Sequence, residues 1–295
     1  MAGPIVKPSD ATERPELHLS GEKLRIALAQ VLRSAEPLGG IEKLVEAVKL
    51  RSEFLAERFG VSGIQSLERS GFDEAVTLMA TVRRRIGGVV AAHGWPTVRS
   101  ALAELVQDAH VPGSGDEKIR RFHARLARPE REGRDSRNER SDNRSIRDLA
   151  AEVLHAVYPE HYPLMTRWIW DARTNTGALR EIWHDPVKGD EINDVVIPVA
   201  DTHETFLVLR EELSQFLSDN GVFRDMIWYV DIVLAHIYGT YINAQGGAYI
   251  KADFSTDEDP LEQTRRLLGL DRPGGKRWAP VAGEAFEMEE IRRLS

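Results

Sequence analysis

The sequence predicts a mainly α-helical protein: a helical-bundle N-terminal lobe, an arginine-rich linker, and a second helical lobe built on a central buried helix. Three observations point there. Apolar residues recur at spacings of three and four over most of the 295 residues. Glycines and prolines punctuate these stretches where helices would begin and end. The best strand candidate, residues 195–199, carries Pro198, which restricts it to an edge strand or an extended connection.

Residues 1–19 contain Pro4, Pro8 and Pro15 without periodicity and are expected to form a mobile leader. The N-terminal lobe comes next, over residues 20–110. Leu24, Leu28, Val31 and Leu32 mark a first helix that ends at Pro37, with Gly39 and Gly40 beyond it. Ile41, Leu44, Val45, Val48, Leu55 and Phe59 stripe a second, which Gly60 stops. A third is expected over residues 72–93, weakened by Gly87 and Gly88 at about 1 kcal/mol each. Pro96 suits the first turn of a fourth, which carries Val98, Leu102, Leu105 and Val106.

Residues 111–145 break the pattern and are expected to be the linker. A short helix there would use Ile119, Phe122 and Leu126. Residues 129–145 contain no large apolar side chain, so little burial is available to offset the entropy of ordering. The second lobe spans residues 146–255. Ile146, Leu149, Val153 and Leu154 begin a helix that Pro159 stops, and Tyr162-Pro163 is expected to start another through Ile169. Asp201 or Thr202 can cap the next helix, striped by Phe206, Leu209, Leu213 and Leu217. Residues 224–243 are apolar on every side, as in a central helix or one shared with a partner chain. The tail, residues 256–295, holds a helix over 261–268 and an acidic amphipathic stretch over 284–294.

Composition excludes several classes. A hydrophobic share of 42% is too high for a disordered chain. The longest apolar run, residues 226–238, is shorter than a bilayer span and is interrupted by Asp231 and His236, so no membrane association is expected. Without cysteine there is no disulfide, thiolate nucleophile or cysteine-ligated metal. The N-terminus lacks the pattern of an export signal, which leaves the cytoplasm as the expected location. Gly274-Gly275-Lys276 lacks the spacing and the following hydroxyl residue of a phosphate loop. No dinucleotide, nucleophile-elbow, zincin or EF-hand spacing occurs, and neither a cofactor nor a metal is expected.

Four features could carry function. Arg125, Arg128, Arg131, Arg134, Arg137 and Arg140 recur every third residue, with Arg120 and Arg121 ahead of them. Residues 118–147 hold 11 cations against 5 acids, a local net of +6. Such a segment can contact nucleic-acid phosphates, although interleaved acids and the lack of a Phe, Tyr or Trp between Phe122 and Tyr158 also fit a solvated connector. Asp231 sits in the all-apolar helix with His236 five residues on, roughly on the opposite side, so each requires a separate partner. A buried aspartate bridging to Arg or Tyr of a neighbouring helix and a catalytic carboxylate are both open. Asp171, Arg173, His184, Asp185, Asp201, His203 and Glu204 form a polar set that could bind metal or exchange protons if folding joined its halves, while residues 201–204 also resemble a helix cap. Trp168, Trp170 and Trp183 with Arg173 have the composition of an interface hot spot, Trp168 also suiting the core.

The string LHAVYPEHYPL, residues 154–164, resembles a helix-turn segment in helical domains of some bacterial restriction and base-excision proteins. Met165-Thr166-Arg167 stands where that segment carries an acidic residue, and no function is carried over.

These features favour a non-catalytic cytoplasmic adaptor or regulatory subunit that binds a protein partner or a second copy of itself. Nucleic-acid association through the arginine-rich segment is the alternative. A motif-free hydrolase or metal-dependent enzyme using Asp231, His236, His184 or His203 is the second alternative.

Overall fold

The computed structural model describes residues 14–107, 115–127, 136–250 and 259–271. Among these residues the chain forms twelve α-helices, and β-pairing is confined to isolated bridges. The mainly helical class is as the periodicity predicts. The helices are α1 (Gly21–Ala35), α2 (Ile41–Phe59), α3 (Gly63–Ser66), α4 (Arg69–Val76), α5 (Ile86–His93), α6 (Trp95–Val106), α7 (Gly115–Leu126), α8 (Ser136–Val157), α9 (Ala178–Glu181), α10 (His203–Asp219), α11 (Met226–Ile250) and α12 (Glu262–Leu267).

Their ends reflect local chemistry. The Ser20 hydroxyl accepts from the Lys23 amide at 3.3 Å and caps α1, and Thr202 does the same for α10 through the Thr205 amide at 3.4 Å. Capping by Thr202 leaves Asp201 free for another task.

One apolar core runs from Leu24 to Leu270. Its central members are α8 and α11. Every residue of α11 from Val230 to Ile237 is buried, and the helix packs on α1, α2, α9, α10 and α12. Helix α8 packs on α2, α5, α6 and α7, and so ties the N-terminal helices to α7.

Helix α8 also buries a polar stripe: Glu139, Asp142, Ser145, Asp148, Glu152 and His155. Burial of charge is heavily penalised without partners, and other elements supply them. Arg51 on α2 reaches Glu152 at 2.6 Å, Arg167 reaches Asp148 at 2.7 Å, and Asp231 lies 2.8 Å from His155.

Several expectations are corrected. Within the linker expected over residues 111–145, the short helix on Ile119, Phe122 and Leu126 is present as α7, whereas residues 136–145, expected to be solvated, form the first turns of α8. The entropy argument failed because the polar side chains of α8 are themselves buried and paired, so ordering does not depend on apolar area. The end of the leader is tied down: Ser20 donates from its amide to the Ile182 carbonyl at 2.8 Å, and the His184 amide donates to His18. The third helix is split by turns between Val76 and Ile86. The helix expected from Tyr162 to Ile169 is irregular. Residues 195–199 take the second of their two expected forms, a connection outside any strand. Their backbone is satisfied by side chains instead, with Asn175 and Arg180 donating to the Val195 carbonyl and Trp170 Nε1 donating to Val199. Among the described residues no helix is long and apolar enough to cross a membrane. The acidic stretch at 284–294 lies outside the described residues.

Candidate anion-binding site

Helices α7 and α8 each turn a stripe of side chains of the same spacing toward a shared cavity of about 520 Å³. Asp116, Ile119, Arg120 and His123 come from α7, and Arg140, Asn143, Arg144 and Arg147 from α8. Offsets of zero, three, four and seven place four side chains on one helical face. The remaining wall is Met165, Arg167, Asp171, Arg173 and Asp201. Six arginines thus converge on one cavity.

The chain brings the last wall into place by doubling back after α8. The Arg167 amide and guanidinium both engage Asp148, with Nη2 to Oδ2 at 2.7 Å, which lays residues 164–167 along α8. A tight turn comes next. The Asp171 amide donates to the Thr176 carbonyl at 2.9 Å, and the Asp171 carboxylate accepts from the Thr174 amide at 3.2 Å. Asn175 (φ 52°) and Gly177 (φ 131°) take left-handed backbone to close it. This turn presents Arg173 to solvent at the rim.

The acids in the cavity are already engaged. Asp116 accepts from the His203 amide at 2.9 Å, and Asp201 accepts from Arg147 at 2.5 Å, with a second Arg147 nitrogen on its carbonyl at 3.0 Å. Arg167 is committed to Asp148. By contrast, Arg120, Arg140, Arg144 and Arg173 make neither a hydrogen bond nor an ion pair among the described residues. Burial pulls the Arg144 pKa below its ordinary value, and repulsion from Arg173, Arg167 and Arg140 adds to the effect against an opposing attraction to Asp171. Burial likewise lowers the His123 pKa, opposed by a hydrogen bond to the Asn143 backbone and reinforced by Arg147, so the ring is neutral near pH 7. The site is therefore a cationic concavity with four uncommitted guanidinium groups, each able to present a planar pair of donors to a carboxylate or phosphate.

No family model, curated protein or solved structure matches the chain. The site is read from its own geometry.

Of the eight arginines expected to contact nucleic acid, Arg120 and Arg140 line the cavity. Arg121 is paired with Glu117 at 2.5 Å, and Arg125 is paired with Glu104 and donates to the Ser100 hydroxyl at 2.9 Å. Arg128, Arg131 and Arg134, together with the side chain of Arg137, lie outside the described residues. A spacing of three advances 300° around an α-helix, so such a series drifts by 60° at each step and cannot hold one face. Asp116, His123, Arg144, Arg147 and Arg167 were missed as individual site residues, whereas Asp171, Arg173 and Asp201 belong to the polar set expected to bind metal or exchange protons. The signal that could have found four of them was the zero, three, four, seven spacing on two neighbouring segments.

The expected interface tryptophans are core residues. Trp168, Trp170 and Trp183 are exposed by 4%, 1% and 2%, so none can anchor a partner at the surface. Trp170 could be buried because Val199 takes its indole proton at 3.0 Å.

The four catalytic candidates occupy separate environments. Asp231 faces His155 on α8, whereas His236 faces Thr264 on α12 at 3.3 Å. His203 is locked as a neutral ring. Its Nδ1 accepts from the Gly115 amide at 3.1 Å and its Nε2 donates to the His161 carbonyl at 3.1 Å, while the ring stacks on Tyr162. Burial lowers its pKa in keeping with that role. His184 pairs with Asp190 at 3.0 Å near the start of α1, and their hydrogen bond depresses the Asp190 pKa. Among the described residues no group of three histidine or carboxylate side chains is placed to hold a metal.

Proposed function

We propose that the protein binds nucleic acid, with the arginine cavity between α7 and α8 taking phosphate. The observation that carries this reading is the set of four guanidinium groups, Arg120, Arg140, Arg144 and Arg173, that converge there without protein partners among the described residues. Arginine forks match phosphate oxygens in pairs. The local excess of six cations over residues 118–147, in a chain of net charge −8, favours a polyanion over a small acidic metabolite. Among the described residues no Phe, Tyr or Trp lines the cavity, which supports contact with the backbone rather than stacking on bases. Burial of Trp168, Trp170 and Trp183 takes these three side chains out of a protein-docking surface, which favours the phosphate reading over the adaptor one.

Fluorescence anisotropy with a labelled oligonucleotide tests the proposal. Neutralising phosphates with four arginines gives a slope of log affinity against log salt of about −3 to −4. Arg120→Gln and Arg140→Gln should each weaken binding and flatten that slope by about one unit. Absence of binding at about 50 mM salt, or affinities that ignore both substitutions, would overturn the reading.

A further inference from the structure

Resting on the nucleic-acid reading above, we infer that the cavity receives the terminal phosphomonoester of a strand rather than an internal phosphodiester. Two observations argue for it, one of charge and one of shape.

The charge argument is a count. Six arginines face four carboxylates, those of Asp116, Asp171, Asp201 and the Asp148 that binds Arg167, which leaves two positive charges in one cavity. An internal phosphodiester carries a single negative charge. A terminal monoester carries between about −1.5 and −2 at neutral pH and offers three strong acceptor oxygens. Only the monoester matches the excess at a single point.

The layout of the cations points the same way. Arg140, Arg167 and Arg173 all lie close enough to Arg144 to repel it. A surface that tracks a strand spreads its cations along a groove, because strand phosphates are themselves spread out. Here they come from α7, α8 and the 171–176 turn and converge on a single cavity of about 520 Å³. Cations crowded in excess of their carboxylates destabilise the empty site, and a compact dianion relieves that repulsion more than a monoanion would.

The test uses the full chain and one oligonucleotide sequence in three forms, carrying a 5′-phosphate, a 3′-phosphate, or hydroxyl groups at both ends. One phosphorylated form should bind about tenfold more tightly than the hydroxyl form, the gain expected of a further charge-assisted fork–phosphate contact. Arg144→Gln should abolish that preference, and Arg144→Lys should restore only part of it. Arg144 makes no hydrogen bond among the described residues, so neither variant removes a structural contact there; Arg173→Gln, in the exposed turn, provides a second probe of the same kind. Equal affinity for all three forms, with steep salt dependence, would overturn this inference and leave the nucleic-acid reading standing. A preference that survives both Arg144→Gln and Arg173→Gln would place end recognition elsewhere and also overturn it. If no form binds and a phosphoserine peptide does, both readings fall.

Discussion

His155 on α8 and Asp231 on α11 form a buried pair in which the imidazole is held at both nitrogens. Nε2 lies 2.8 Å from Asp231 Oδ2, and Nδ1 lies 2.8 Å from the Tyr162 carbonyl oxygen. A carbonyl and a carboxylate can only accept, so both nitrogens carry protons and the ring is an imidazolium. Burial alone would lower its pKa, but the Asp231 charge and hydrogen bond, aided by the Tyr162 carbonyl, raise it.

Stability from this pair is fully present below the unfolded histidine pKa of about 6.5 and is lost as pH rises through the raised folded value. The urea midpoint of the wild type should therefore carry a component that falls on the alkaline side of neutrality. Asp231→Asn leaves a buried cation without its counter-charge and should cost about 3–5 kcal/mol near pH 6. The variant should also lose that alkaline component. A variant as stable as wild type at pH 6 would refute the pairing.

His236 behaves in the opposite sense. Burial lowers its pKa to about 4, and its Nε2 finds no hydrogen-bond partner among the described residues. The unfolded chain takes up a proton near pH 6.5 that the folded chain refuses, so stability falls as pH drops from there toward 4. The loss is on the order of 3 kcal/mol once both states are protonated. His236→Leu should leave stability at pH 7 within about 1 kcal/mol, since no strong polar contact is lost, and should flatten the acid limb between pH 6 and 4. An unchanged acid limb would assign it to other groups.

The Arg51–Glu152 pair ties α2 to α8 in the core. Arg51 also donates twice to the Leu78 carbonyl, at 3.0 and 2.9 Å, which fixes the turn after α4. Glu152→Gln should destabilise by about 3–5 kcal/mol, because a guanidinium exposed by only 6% is left uncompensated. The double substitution Arg51→Met with Glu152→Leu should recover most of that loss. A double variant no better than the single one, in chemical denaturation, would show that the Leu78 contact matters more than the charge pair.

Gly177 closes the turn that carries Asp171 and Arg173. Its φ is 131°, and a Cβ there would sit 2.5 Å from the Ile169 carbonyl oxygen. Gly177→Ala should lower stability by at least about 1–3 kcal/mol through backbone strain. It should also weaken oligonucleotide binding by shifting Arg173. Wild-type melting and affinity in this variant would remove the turn from the site.

Periodicity was a good guide wherever a helix has one apolar face. The spacings of α1, α2 and α10 were readable because their buried residues recur on a single side. It failed over residues 136–145, where Glu139, Asp142 and Ser145 are buried although none is apolar. Their burial is set by how α8 packs on helices distant in sequence, α5 and α6 among them, and no local pattern announces that packing. Asp231 was recognisable as a group that needed a partner. That the partner is His155, neither Arg nor Tyr, is set by how α8 and α11 pack.

The arginine site shows the same division. The amino-acid sequence by itself determined that cations accumulate over residues 118–147 and that the chain is helical, because both properties are local. Tertiary structure decided which cations matter. It neutralised Arg121 and Arg125 with Glu117 and Glu104, sank the tryptophans into the core, and brought Arg167 and Arg173 to the face shared by Arg140 and Arg144. Coulomb energy depends on the distance between charges, and only the folded chain sets that distance between residues far apart in sequence.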